Sequence, residues 1–387
     1  MELERQAPRR GMSTIALRCW YGVHKWTSLI CTVFILMLCV TGLPLIFYHE
    51  IDHALGNSVD PPARPGITTR VSLDRIVAEA RRLHPGDAVQ YVAEDADDPN
   101  AWSVGLGKTA DAVELTAYLT FDIRTGELLN QYPLDEGVMH VLYHLHTDLF
   151  FELPGKLFLG GMGLLLVLSL VSGVVVYGPF MRKLRFGTVR YERTARTRWL
   201  DLHNLLGIAT AVWLLVVGAT GVINTLADPI YDRWKTSALG DMTAAHAGAA
   251  PLTRHGSVEA AVTAARAATG LSQVRFMAFP GNDFATPHHF VAFMNGDSPV
   301  TSRLMTPVLI DGATSVVVDQ RPLTGITKAL LISQPLHFGD YGGLPLKILW
   351  ALFDLLAIVV LSSGVYLWWK KRKLTVEQRL APVEEAA

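Results

Sequence analysis

The stretches WYGVH (Trp20–His24) and WLDLH (Trp199–His203) stand 179 positions apart, and each is followed at the same distance by a Thr-Gly pair, Thr41 with Gly42 and Thr220 with Gly221. A second set recurs at an offset of 191: His146, Leu153, Pro154, Ser172 and Gly173 match His337, Leu344, Pro345, Ser363 and Gly364. Sets of residues kept at constant offsets mark an internally duplicated chain. The repeated unit is a helix, a loop domain and a second helix.

The repeats bracket long apolar runs. Thr27–Tyr48, Leu157–Met181, Leu202–Ala227 and Ile348–Trp369 carry no charge except Asp354 in the last, which explains a composition that is 50% hydrophobic and only 18% charged. A helix needs about 20 residues to cross a hydrocarbon core about 30 Å thick, and each run is long enough. The first run continues into YHEIDH without a small-residue cleavage site, so it reads as a span and not as a removed signal peptide. Basic residues cluster on one side of the spans: Arg5, Arg9, Arg10, Arg18 and Lys25 before the first, Arg182 to Arg198 between the second and third, and Lys370 to Lys373 after the fourth. That side is expected to be cytoplasmic, with both long loops outside. The net charge of −1 excludes a general affinity for nucleic acid. Cys19, Cys31 and Cys39 all lie in or before the first span, so no disulfide is expected in the outer loops.

The expected fold class is a mainly α membrane protein. It is a four-helix transmembrane bundle made of two pseudo-symmetric helix-domain-helix repeats, related by an axis along the membrane normal. The expected boundaries are 1–26 for the cytoplasmic N-terminus, 27–48, 156–181, 200–227 and 348–369 for the spans, 182–199 for the basic loop and 370–387 for the tail. The outer loops, 49–155 and 228–347, each open with a serine-capped helical signal, SLDRIVAEARRLH (Ser72–His84) and SVEAAVTAARAA (Ser257–Ala268). Alternating segments AYLTFDIRTGELL and TPVLIDGATSVVV follow, so each loop reads as a small α+β domain with an antiparallel sheet.

The repeated histidines carry the chemistry. His24 and His203 fall at the cytoplasmic ends of spans one and three, and His146 and His337 just outside spans two and four. Two facing imidazoles in a bundle core are the axial arrangement of a low-spin haem b, so two haems are expected, one for each pair. Gly42, Gly221, Gly173 and Gly364 fit as places where a flat porphyrin approaches the backbone; the competing reading is ordinary small residues at helix contacts. His140 and His144 lack histidine counterparts in the second half and are alternative ligands or propionate contacts. Asp354, the one acid within a span, is a candidate for proton coupling or for bonding a ligand imidazole.

YHEIDH (Tyr48–His53) contains H-E-x-x-H, the zinc-and-base pattern of metallopeptidases when helical. Its counterpart Asp228–Asp232 lacks it, and a third ligand such as Glu79 or His84 lies beyond DPPARPG, so no zinc site is expected. His49 reads instead as a propionate contact or rival axial ligand near the outer haem. GLGKT (Gly105–Thr109) lacks the first glycine of a phosphate loop, which is Trp102, and reads as a turn.

RCWYGVHKW, LHTDLFFELPGKLFLGGMG, RWLDLHNLLGI and LHFGDYGGLPLKILW resemble, in that order, the signature segments of the PepSY-associated transmembrane family. The resemblance covers roughly residues 14–374. It implies a bacterial inner-membrane protein, multi-pass with both termini cytoplasmic, whose outer loops are periplasmic PepSY-like domains. Within the family it is similar to the haem-containing ferric-siderophore reductases. The implied activity passes single electrons across the membrane to a periplasmic ferric siderophore and releases Fe(II) for uptake. The electron donor would be a cytoplasmic reductase, a flavin or a membrane quinone. Two other readings stay open: a haem-free PepSY regulatory or binding membrane protein, and a quinol-linked cytochrome with another periplasmic acceptor. Membrane lipid is the remaining partner.

Overall fold

Ser13 opens the first long helix by accepting a hydrogen bond from the Ala16 N–H at 3.2 Å. The computed structural model describes residues 12–96, 98–181, 185–244, 248–296, 298 and 301–370. The expected topology signals Arg5, Arg9, Arg10, Arg182, Lys183, Lys371, Arg372 and Lys373 and the tail from 371 lie outside the described residues. Helix α1 (Thr14–Leu45) runs 32 residues, about 48 Å, longer than the apolar run because a membrane helix continues past the hydrocarbon. It ends at Leu45, with Pro44 in its last turn and the Ile46 N–H still bonded to the Gly42 carbonyl at 3.0 Å, and YHEIDH becomes a separate short helix, α2 (Tyr48–Ala54).

The remaining helices are α3 (Leu73–Leu83), α4 (Gly137–Thr147), α5 (Glu152–Met181), α6 (Ala195–Asn224), α7 (Ala227–Trp234), α8 (Gly240–Thr243), α9 (Val258–Thr269), α10 (Gly325–Phe338) and α11 (Gly343–Lys370). Among the described residues four helices, α1, α5, α6 and α11, are long and apolar enough to cross a membrane. The chain divides into two compact units, one of residues 1–46, 144–226 and 336–387, the other of residues 47–143 and 227–335.

In the first unit α1 packs on α5 and α11, and α6 packs on the same two, closing a four-helix ring. Cys31, Ile35, Leu166, Trp213, Leu214 and Ala357 fill its middle. Small residues let the backbones approach, as where Gly163 faces Val222.

The second unit is built on one eight-stranded antiparallel sheet in the order β4-β3-β2-β1-β5-β6-β7-β8. Its strands are β1 (Ala88–Glu94), β2 (Ala101–Gly107), β3 (Leu115–Asp122), β4 (Glu127–Gln131), β5 (Gln273–Ala278), β6 (His289–Asn295), β7 (Met305–Asp311) and β8 (Val317–Gln320). The two loops therefore share a sheet where two separate sheets were expected. Each half would leave β1 or β5 as an open edge, and pairing Tyr91 with Ala278 and Val92 with Met277 removes both edges. Ser72 and Ser257 cap α3 and α9 as their sequences predict. The helices also cap each other: Asp74 accepts from the Val258 N–H at 2.7 Å, and Glu259 from the Leu73 N–H at 2.9 Å. The segment GLGKT is the buried end of β2 running into Lys108, not a free turn, and Lys108 pairs with Asp87 at 2.8 Å.

Candidate functional site

The four repeated histidines lie in the helical unit, and each meets one of the four repeated glycines. His24 on α1 lies over Gly173 of α5, and His203 on α6 over Gly364 of α11. His146 at the end of α4 lies over Gly42 of α1, and His337 at the end of α10 over Gly221 of α6. A Cβ added at Gly42 would stand 2.8 Å from the His146 ring, at Gly173 2.9 Å from His24, at Gly221 3.1 Å from His337 and at Gly364 3.4 Å from His203. The glycines thus make room for an imidazole edge, where the sequence suggested room for a porphyrin face.

The same helical turn that bears each glycine also holds the ring. Its carbonyl four residues earlier meets the imidazole Nδ1: Ser169 for His24 at 2.9 Å, Val360 for His203 at 3.1 Å, Val217 for His337 at 2.9 Å, and Leu38 for His146. A carbonyl only accepts, so Nδ1 carries the proton and Nε2 keeps its lone pair. Hydroxyls beside these carbonyls reinforce the hold, Ser363 on His203 at 2.9 Å and Thr41 on His146 at 3.1 Å. This is the orienting arrangement that metal-binding imidazoles use.

The histidines come together as two pairs. The His146 and His337 ring centres stand 6.2 Å apart. The two ring planes meet at 61°, an edge-type contact between the imidazoles. Burial, and next the neighbouring His337, push His146 down to about 3, while burial also lowers His337, so both are neutral donors near pH 7. His24 and His203 interact electrostatically and face a common cavity of about 580 Å³. Its walls are mostly apolar, with Lys25, Arg190 and Arg196 the charged groups among the described residues on its lining. Among the described residues no three His, Cys, Asp or Glu side chains cluster for a metal ion.

A model of the PepSY-associated TM region matches residues 21–371, a span that holds all four histidines and all four glycines. The chain belongs to the PepSY-associated transmembrane family. A stretch of 88 residues, 23% of this chain, is 35% identical to an uncharacterized protein of Pseudomonas aeruginosa, of which it covers 22%.

The other candidate residues of this PepSY-associated protein are placed differently. His144 lies in the helical unit with its Nδ1 3.1 Å from the Asp148 carboxylate and its ring stacked on Phe150. His140 and His49 belong to the sheet-bearing unit, His49 against the ring of Tyr48. His53 of the H-E-x-x-H stretch meets Asp60 at 3.2 Å. Asp354 is buried at 6% exposure and bonds Cys39 on α1, not an imidazole, while its Oδ2 has no partner among the described residues. Sequence reasoning missed the four carbonyls, whose signal is the Ser or Thr before each glycine. It also read Lys25 and Arg196 as topology signals alone. Lys156 and buried Lys347 share the offset of 191 and extend the second repeated set.

Proposed function

We propose that this chain is an inner-membrane di-haem oxidoreductase that passes single electrons across the membrane to periplasmic ferric siderophores and releases Fe(II) for uptake. The observation that carries the reading is the fourfold device of imidazole, glycine and carbonyl, which presents two pairs of neutral Nε2 donors. His24 with His203 would hold the inner haem b, and His146 with His337 the outer one. When bound, the haems supply reversible one-electron chemistry.

The chain's own residues do the rest. Nδ1–H bonds to Ser169, Val360, Val217 and Leu38 keep each ring in place, so little rearrangement accompanies a change of charge. The apolar layer around Leu166, Trp213 and Leu214 excludes water between the two pairs. The basic residues flanking the spans support a cytoplasmic location of the inner pair, both termini inside and the sheet-bearing unit in the periplasm. The matched helices, caps and strands of the two halves support a pseudo-symmetric duplication. Ferric iron in the substrate is held tightly by hard oxygen donors; one added electron gives Fe(II), which such donors hold more weakly. A cytoplasmic reductase, a flavin or a membrane quinone would supply the electron.

The test is an absorption spectrum of the purified protein before and after dithionite. The reading requires a reducible bis-histidine haem spectrum at two haems per chain, and a haem-free preparation would sink it in favour of a regulatory or binding role. Turnover of a ferric siderophore with a ferrous trap tests the substrate. A reducible spectrum without turnover would point to a quinol-linked cytochrome with another acceptor.

A further inference from the structure

Resting on the haem reading and deepening it, we propose that Lys25 and Arg196 are the carboxylate anchors of the inner cavity, receiving the two propionates of the haem held by His24 and His203. The argument begins from charge. The cavity lining carries three cations, Lys25, Arg190 and Arg196, and among the described residues no Asp or Glu. Arg190 is already neutralised, because Asp201 accepts from its backbone N–H and Nε at 3.0 Å and from its terminal nitrogen at 2.7 Å. Arg196 has no such partner among the described residues, and its Nε is buried without a hydrogen bond. The Lys25 ammonium lies 4.2 Å from the centre of the Trp26 ring and has no carboxylate beside it among the described residues. An unpaired guanidinium nitrogen kept from water is costly, and the Lys25 charge on the same lining is also unmatched among the described residues.

Position then names the donor. Arg196 precedes His203 by seven residues, two turns of α6, so it lies on the same helix face about 10 Å from the histidine. Lys25 adjoins His24 on α1. A cavity with mostly apolar walls, two imidazoles and two cations unmatched among the described residues suits a flat apolar body with two carboxylates. An arginine fork suits a carboxylate, and a lysine adds a point charge. Arg196 also sits in the first turn of α6, where the helix end favours an anion.

The experiment uses the full-length protein in detergent and compares Arg196→Gln, Lys25→Gln and the double variant with Arg198→Gln, an exposed neighbour that does not line the cavity. Haem loss to apomyoglobin and the two midpoint potentials are measured, together with uptake of haem or its dimethyl ester by chain produced under haem limitation. Each single variant is expected to speed loss of one of the two haems about 10-fold, the factor for one charge-assisted bond to a carboxylate. One midpoint should shift negative, since removing a cation disfavours the reduced, less positive iron. Arg198→Gln should change nothing, and the wild type should prefer haem to its ester at one site while the double variant does not. Unchanged loss rates and midpoints, or equal uptake of the ester by the wild type, overturn the proposal while leaving the haem reading intact. A phospholipid retained by the wild type and lost from Arg196→Gln, with haem loss unchanged, assigns the cations to a headgroup and overturns it too. A wild-type chain with no haem overturns both readings.

Discussion

The inner and outer histidine pairs use one device in two settings. The inner histidines, His24 and His203, project from the long helices α1 and α6 and leave a cavity of about 580 Å³ with cations on its lining. The outer histidines, His146 and His337, come from the ends of the short helices α4 and α10, and their ring centres stand 6.2 Å apart. Helices α1 and α6 serve both pairs, each giving a histidine to one and a glycine to the other. Ring orientation is thus a property of the Ser/Thr-Gly turn and does not depend on whether the histidine sits inside a long helix or on a short helix beside it. The turns after the two histidines differ from each other: after His146, Leu149, Phe150 and Glu152 adopt positive φ, while after His337 Gly339 and Gly343 do.

The largest effect expected is loss of a whole centre. His24→Ala or His203→Ala should remove one of the two haems and leave the other, and His146→Ala or His337→Ala should do the converse, read as haem per chain and as two separable spectra. If one inner variant left both haems in place, the pairing would be wrong.

Next comes a graded series. Gly42→Ala and Gly173→Ala, with closest approaches of 2.8 and 2.9 Å, should displace an imidazole at an overpacking cost of about 1–3 kcal/mol and lower haem retention. Gly221→Ala should cost less, and Gly364→Ala, at 3.4 Å, should be neutral or gain up to about 1 kcal/mol from helix propensity. An ordering unrelated to these distances would refute the close-approach account of the glycines.

The turns give a smaller contrast. Gly339→Ala meets both a φ of 74° and the Trp350 ring at 2.7 Å and should lower thermal stability by about 1–2 kcal/mol. Glu152→Gly, at an exposed position with φ 50°, should raise it by about 1 kcal/mol.

The last prediction lies in the sheet-bearing unit and should leave both haem spectra unchanged. Burial pulls the Asp311 carboxyl up, but hydrogen bonds from Thr314, Ala313 and His288 outweigh it and hold it down to about 2. A folded value below the unfolded one, about 3.9, means the stabilisation is present above pH ~4 and is lost as pH falls towards 2. Asp311→Asn should therefore cost about 2 kcal/mol at neutral pH and flatten the acid side of the unfolding profile.

The sequence by itself determined the four apolar helices, because crossing hydrocarbon demands about 20 uncharged residues whatever surrounds them. It determined the serine caps of α3 and α9, which are local hydrogen bonds. It also singled out four histidines and four glycines, because they recur at constant offsets of 179 and 191. Tertiary structure decided which histidine meets which glycine, and that Asp354 turns to Cys39, because these contacts join helices whose azimuth no periodicity reports. It alone decided that the loops share a sheet, since an edge strand's partner lies about 190 residues away. It alone left Arg196 without a carboxylate partner among the described residues while Asp201 neutralised Arg190, a difference between two nearby arginines that sequence does not report.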